Sequence, residues 1–155
     1  MGLKSKAKHE TFRAGVGAVI LSQKGKLLAL ERRDIEGAWQ LPQGGLKKGE
    51  EPSQAVYREL KEETGLNENE IEFLARASHL LAYELPLALR SEKTGRGQVH
   101  YWYLFAFKGD EQRITLGDKK EFRAWRWLSW DELLSQVVDF RRPIYQRLKE
   151  EFSHF

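Results

Sequence analysis

The sequence predicts an α/β fold, a mixed central β-sheet sandwiched between helices. Three observations carry this expectation. Runs of apolar, β-branched and aromatic residues at 14–21, 26–32, 71–76, 79–85, 98–107 and 121–128 read as strands. A helical segment that opens at Pro52 and stops at Gly65 falls between the early and late strands. Two more helical patterns close the chain. Helix between strands and helices after them describe an α/β/α sandwich.

At 155 residues the chain is one domain with enough interior for a core, and 41% hydrophobic with 32% charged residues is ordinary for a globular protein. Residues 1–10 are expected to be a mobile basic arm and 11–155 the single domain. The absence of cysteine excludes disulfides and thiolate metal sites and fits a cytoplasmic location. The N-terminus lacks the apolar run of a signal peptide, and Lys6 stands where an acylation motif needs Ser or Thr. No apolar run is long enough to span a membrane, so no membrane partner is expected. The net charge of +3 and a pI near 9.1 favour a polyanionic partner.

Taken in order, residues 14–21 form a buried strand. Gly15-Val16-Gly17 is not a dinucleotide-binding fingerprint, because no helical pattern follows it. Gln23-Lys24-Gly25 is a turn, and residues 26–32 return as the second arm of a hairpin. Gly44 and Gly45 permit close approach of backbone to a ligand or metal. Pro52 suits the first helical turn, Gly65 suits the left-handed C′ position, and Val56 and Leu60 form the apolar stripe of the helix. Strands follow at 71–76 and 79–85. Residues 86–97 are a polar connection carrying Arg90, Lys93 and Arg96. Residues 98–107 are apolar and aromatic on both sides, as a central strand covered on both faces would be. After the strand at 121–128, Ser129 and Glu132 form a capping-box pattern that opens a short helix. A last helix spans 141–152, where Ile144, Leu148 and Phe152 recur four apart.

The chemistry-bearing stretch is 44–66. Glu59, Glu62 and Glu63 stand at i, i+3 and i+4 and share an arc of about 100° on one helix face. Like charges so placed repel one another. A hard divalent cation held by carboxylate oxygens would offset the repulsion, and so, in part, would surface pairing with Arg58 and Lys61. A carboxylate cluster without His or Cys selects Mg²⁺ or Mn²⁺ over zinc. The chemistry this suits is attack of a metal-activated water on a phosphoanhydride.

The same stretch resembles the Nudix box, Gly-x5-Glu-x7-Arg-Glu-(apolar)-x-Glu-Glu-x-Gly-(apolar), at every specified position. Seven fixed letters in register arise by chance on the order of once in 10⁸ windows. The resemblance implies the Nudix sandwich with the box as loop–helix–loop. It implies that Glu59, Glu62 and Glu63 hold the metal with help from a backbone carbonyl near Gly44 or Gly45. Arg58 and Glu50 would tie the loop to the helix. In the family a further acid outside the box completes the metal site or acts as base. The candidate is Glu121, whose alternative is an ordinary solvent-facing glutamate at a strand end. Glu59, Glu62 and Glu121 all remain open as the group that deprotonates the water.

Outside the box, Trp39-Gln40-Leu41-Pro42-Gln43-Gly44-Gly45, the stretch from Glu121 to Trp130 and the stretch from Val137 to Tyr145 are similar to the bacterial RNA pyrophosphohydrolases. The similarity runs over residues 12–152 and extends to the related dinucleoside polyphosphate hydrolases. It implies removal of pyrophosphate from the 5′-triphosphate end of RNA, leaving a 5′-monophosphate open to decay. By the same match Arg32 and Phe140 would sandwich a nucleobase. Arg13, Gln98 and Arg141 would contact phosphates or base edges, and Tyr83 would lie beside the phosphates. Each has a plainer alternative: Phe140 as a staple for the last helix, Arg13 and Arg32 as surface cations, Tyr83 as core. The rival functions are hydrolysis of dinucleoside polyphosphates or nucleoside triphosphates, and a non-catalytic RNA-binding module. Such a module usually loses the box acids, and all three stand here.

Overall fold

The fold is built around a strand pair that is parallel and long. In the computed structural model, which describes residues 10–117 and 120–155, β1 (Phe12–Leu21) runs parallel to β7 (Gly97–Phe107). The pairing is unbroken from Phe12↔Gly97 to Leu21↔Ala106. The expected N-terminal arm lies outside the described residues, Glu10 excepted. The remaining strands are β2 (Leu27–Arg32), β3 (Trp39–Gln40), β4 (Gln43–Gly45), β5 (Ile71–Arg76), β6 (Leu81–Glu84) and β8 (Phe122–Leu128). The sheet order is β3-β2-β1-β7-β5, with β4 on β1, β6 on β7 and β8 on β2. One parallel pair among antiparallel ones makes the sheet mixed, as expected.

Alternation along the two central strands creates the sandwich. Val16, Ala18 and Ile20 of β1, with Tyr103, Phe105 and Phe107 of β7, face one core. Val19, Leu21, Trp102 and Leu104 face the other. The first core is covered by α1 (Pro52–Thr64), which contributes Ala55, Val56 and Leu60. The second is covered by α2 (Trp130–Gln136) and α3 (Arg142–Phe152), through Leu133, Ile144, Tyr145, Leu148 and Phe152.

The helix ends follow their sequence signals. Pro52 begins α1, and Glu51 and Gln54 form a reciprocal capping box around it. Gly65 adopts φ 74° and returns its N–H to the Lys61 carbonyl at 3.0 Å, the left-handed exit that glycine permits. Ser129 caps α2 through the Glu132 amide. A 3₁₀ turn at Asp139–Arg141 leads into α3, so that helix begins at Arg142.

Several expectations shift. β1 begins at Phe12 rather than 14, because Phe12 and Arg13 find partners in Gly97 and Gln98. The β1–β2 hairpin is a single register pair, Leu21↔Leu27; beyond it the strands part, β2 taking β8 as its neighbour and β1 taking β4. The strand expected at 79–85 shortens to Leu81–Glu84, with Ser78 and His79 in a bend. Gly44 and Gly45 are not loop residues. They form β4 and pair with Val16 and Gly15.

Candidate metal and phosphate site

Arg58 is the centre of the acidic cluster. It leaves α1 between Glu59 and the loop that precedes the helix, and it uses every nitrogen. Nε donates to Glu50 Oε2 at 2.7 Å and Nη2 to Glu50 Oε1 at 2.9 Å, a two-pronged pair. Nη2 also reaches the Gly45 carbonyl at 2.8 Å. Nη1 donates to Glu59 Oε1 at 2.7 Å and to Glu62 Oε2 at 3.4 Å. The guanidinium, followed by the Lys47 amide, pulls the Glu50 carboxyl down to a pKa of about 2. Glu50 in turn raises the Arg58 pKa above its ordinary value. The tie from loop to helix expected of Glu50 and Arg58 is thus present. Lys61, expected to offset part of the repulsion among these acids, donates its ammonium to Asn67 Oδ1 at 2.6 Å.

The strand β4 is fitted against these acids. A Cβ on Gly44 would collide with the carboxylate of Glu59, so only glycine lets that side chain lie on the strand. Glu63, 5% exposed, accepts the Gln43 amide at 3.2 Å. The acids therefore turn to two different partners, Glu59 and Glu62 to Arg58 and Glu63 to β4. Among the described residues no three His, Asp or Glu side chains stand as a ready ligand set.

A cavity of about 530 Å³ opens beside β4. Eight of the sequence-predicted residues line it: Arg13, Arg32, Gly44, Gly45, Glu63, Gln98, Glu121 and Arg141. Glu59 lies directly behind Gly44. Arg32 is held edge-on by Asp34, with Nε–Oδ1 at 2.9 Å and Nη2–Oδ2 at 2.7 Å, and this ion pair lowers the Asp34 pKa. Arg13 donates to the Glu92 carbonyl at 3.0 Å. Glu121 is exposed on the β8 side, immediately before the strand.

Tyr83 and Phe140 do not line the cavity. They form a stack behind it with Arg141. The Tyr83 and Phe140 ring centroids lie 5.5 Å apart, and the Arg141 guanidinium sits 5.8 Å from the first and 5.4 Å from the second. Tyr83 belongs to the core and Phe140, partly buried, packs against it. The Tyr83 hydroxyl nevertheless donates to Gln98 Oε1 at 2.6 Å, which orients a cavity residue. Arg141 is also buried and donates Nη1 to Gln40 Oε1 at 2.7 Å.

A family model of the NUDIX domain matches residues 11–148. The chain belongs to that family. It is 39% identical over 154 residues to Nudix hydrolase 26, chloroplastic, of Arabidopsis thaliana, covering 93% of this chain and 70% of the relative. It is 40% identical over 147 residues to an RNA pyrophosphohydrolase of Photobacterium profundum, covering 92% and 84%. The fold is similar to that of the E. coli dihydroneopterin triphosphate pyrophosphohydrolase, with a TM-score of 0.75 at 21% identity, covering 94% of this chain and 100% of that one.

Within this Nudix domain, sequence reasoning missed Arg33, Asp34, Gln40, Gln43, His100 and Lys120, all of which line the cavity. His100 is the most informative. Burial and the nearby Arg141 charge push its pKa down to about 4, so the ring is neutral at pH 7. A Cβ on Gly15, its register partner, would strike the imidazole, and one on Gly17 would strike the Trp102 ring. The Gly15-Val16-Gly17 stretch thus makes room for two β7 side chains. The signal for His100 was its place two residues from Gln98, on the same face of a strand.

The residues present fit a hard divalent metal. The donors are carboxylate oxygens, Gly44 lets the Glu59 carboxylate lie against β4, and the buried Gln43 Oε1 beside Glu63 has no partner among the described residues.

Proposed function

We propose that this protein is a Mg²⁺-dependent RNA 5′-pyrophosphohydrolase, with Mn²⁺ able to substitute. It converts the 5′-triphosphate end of RNA to a 5′-monophosphate, releases pyrophosphate and so opens the transcript to decay in the cytoplasm. As a Nudix hydrolase it acts on phosphoric anhydride bonds. The observation that carries the reading is the meeting of opposite charges in one cavity. Glu63 on one wall, with Glu59 behind Gly44, stands beside Arg13, Arg32, Lys120 and Arg141. Cation-only sites bind phosphates, and acid-only sites bind metals. A site with both seats a metal against a polyphosphate. Bacterial relatives at 37% and 40% identity that are RNA pyrophosphohydrolases support the choice of RNA.

Glu59, Glu62 and Glu63 would hold the metal. When bound, the ion neutralises bridging charge on the phosphates and lowers the pKa of a coordinated water. The chain's own residues do the rest. Arg58 holds the α1 acids against the β4 strand. Arg13 and Arg141 neutralise phosphate oxygens. The Asp34 pair fixes the plane of Arg32 and leaves its face open to a base, as stacked recognition of a single-stranded end requires. Glu121 takes the proton of the attacking water.

The test is a comparison of initial rates, with Mg²⁺, on 5′-triphosphorylated RNA and on diadenosine polyphosphates. The expected result is a clear preference for RNA. A large preference for the dinucleotide would make this a dinucleoside polyphosphate hydrolase that uses the same metal chemistry.

A further inference from the structure

We propose that Arg33 is a positioning residue for Glu121. This rests on the role given to Glu121 above. Glu121 stands just outside regular structure, since the last register pair between β2 and β8 is Arg32↔Phe122. Beyond that pair the backbone needs another anchor, and Arg33 supplies it twice. Its amide donates to the Glu121 carbonyl at 2.9 Å, and its Nε donates to the Lys120 carbonyl at 3.0 Å.

The held segment is unusual. Lys120 has φ 56°, the only non-glycine with positive φ among the described residues. A side-chain-bearing residue rarely adopts that conformation and keeps it only where its surroundings enforce it. On the far side of Glu121 the register slips between Glu31 and Arg32, so that Arg123 falls out of the ladder. Arg123 is caught by Glu31, with Nε–Oε1 at 2.9 Å, and Glu31 also accepts the Gly37 amide at 2.8 Å. Glu31 and Arg33, two residues apart at the end of β2, thus grip the chain on either side of Glu121.

Little of this serves the core. Arg33, Lys120 and Glu121 are exposed and line the cavity together. Exposed polar contacts contribute little to stability, whereas a small displacement of a reacting group costs much in rate. The grip therefore acts on turnover rather than on folding.

The experiment compares wild type, Arg33→Ala, Arg33→Lys, Glu121→Gln and the double variant Arg33→Ala/Glu121→Gln. Kinetics use 5′-triphosphorylated RNA, and hydrogen exchange uses the metal-free protein. Arg33→Ala is expected to lower kcat by about tenfold with KM nearly unchanged. It should leave the melting temperature in place and speed exchange in segments 31–36 and 120–124. Arg33→Lys should recover part of kcat. In the Glu121→Gln background the Arg33→Ala change should cost nothing further, because the two act as a unit. Additive losses, or exchange unchanged by Arg33→Ala, would overturn the proposal. A rise in KM alone would overturn it too and make Arg33 a phosphate contact, leaving the pyrophosphohydrolase reading intact. Full activity of Glu121→Gln would remove the role of Glu121 and the proposal with it.

Discussion

Arg58 grips Glu50 with two parallel hydrogen bonds, 2.7 and 2.9 Å long, and the same guanidinium reaches the Gly45 carbonyl and the carboxylates of Glu59 and Glu62. One planar group thereby sets the distance between the β4 strand and the acidic face of α1. A lysine keeps the charge and loses the fork. Arg58→Lys should lower kcat by about tenfold or more and lower the melting temperature, measured by steady-state kinetics and circular dichroism. The sign with pH follows from Glu50. Its folded pKa of about 2 lies below the ordinary 4.5, so its contribution is present above pH 4.5 and fades as pH falls toward 2. The gap in stability between wild type and variant should close over that same window.

Gly44→Ala tests the approach of Glu59 to β4. The new methyl would occupy the place of the Glu59 carboxylate, which Arg58 holds from the other side. The side chain must swing away while the fold keeps its core, since Gly44 belongs to neither hydrophobic cluster. We expect turnover to fall by about a hundredfold with a modest change in melting temperature. A variant with near wild-type kcat would show that Glu59 does not act from this position.

His100 makes stability depend on pH. Its folded pKa of about 4 lies below the ordinary 6.5 because burial disfavours the charged ring. Between those values the unfolded chain binds a proton that the folded chain refuses. Stability is therefore full above pH 6.5 and declines as pH falls toward 4, by on the order of 3 kcal/mol in all. Urea titrations of His100→Asn over this range should show a flatter dependence than wild type.

Arg141 couples the cavity to the stack behind it. Arg141→Ala would leave buried Gln40 Oε1 without its donor and strip the cation from beside the Tyr83 and Phe140 rings. An unsatisfied buried acceptor costs about 1–3 kcal/mol, so the melting temperature should drop. With the phosphate contact proposed for Arg141 gone as well, KM for RNA should rise by about tenfold while kcat moves less.

Much of this was legible from local sequence. Pro52, Gly65, Ser129 and Glu132 announce helix ends through capping chemistry that acts over a few residues, and those ends stand where expected. The acids of α1 were legible for the same reason: helical spacing is a local rule. What escaped was set by strand pairing between distant segments. Nothing near Gly44 and Gly45 announces that they lie in a strand on β1, nor that Glu59 needs the missing Cβ. Gly15 and Gly17 have no meaning until the parallel register sets His100 and Trp102 over them. Arg33 is an ordinary loop cation until β8 comes to lie beside β2.

The claim that the α1 acids seat a metal against a polyphosphate is tested most directly by pyrophosphate release from 5′-triphosphorylated RNA, with and without Mg²⁺, by wild type and Glu63→Gln. Release is expected from wild type only with the metal, with a loss of at least about a hundredfold in Glu63→Gln at an unchanged fold. Release by Glu63→Gln at the wild-type rate, or by wild type in excess chelator, would contradict it.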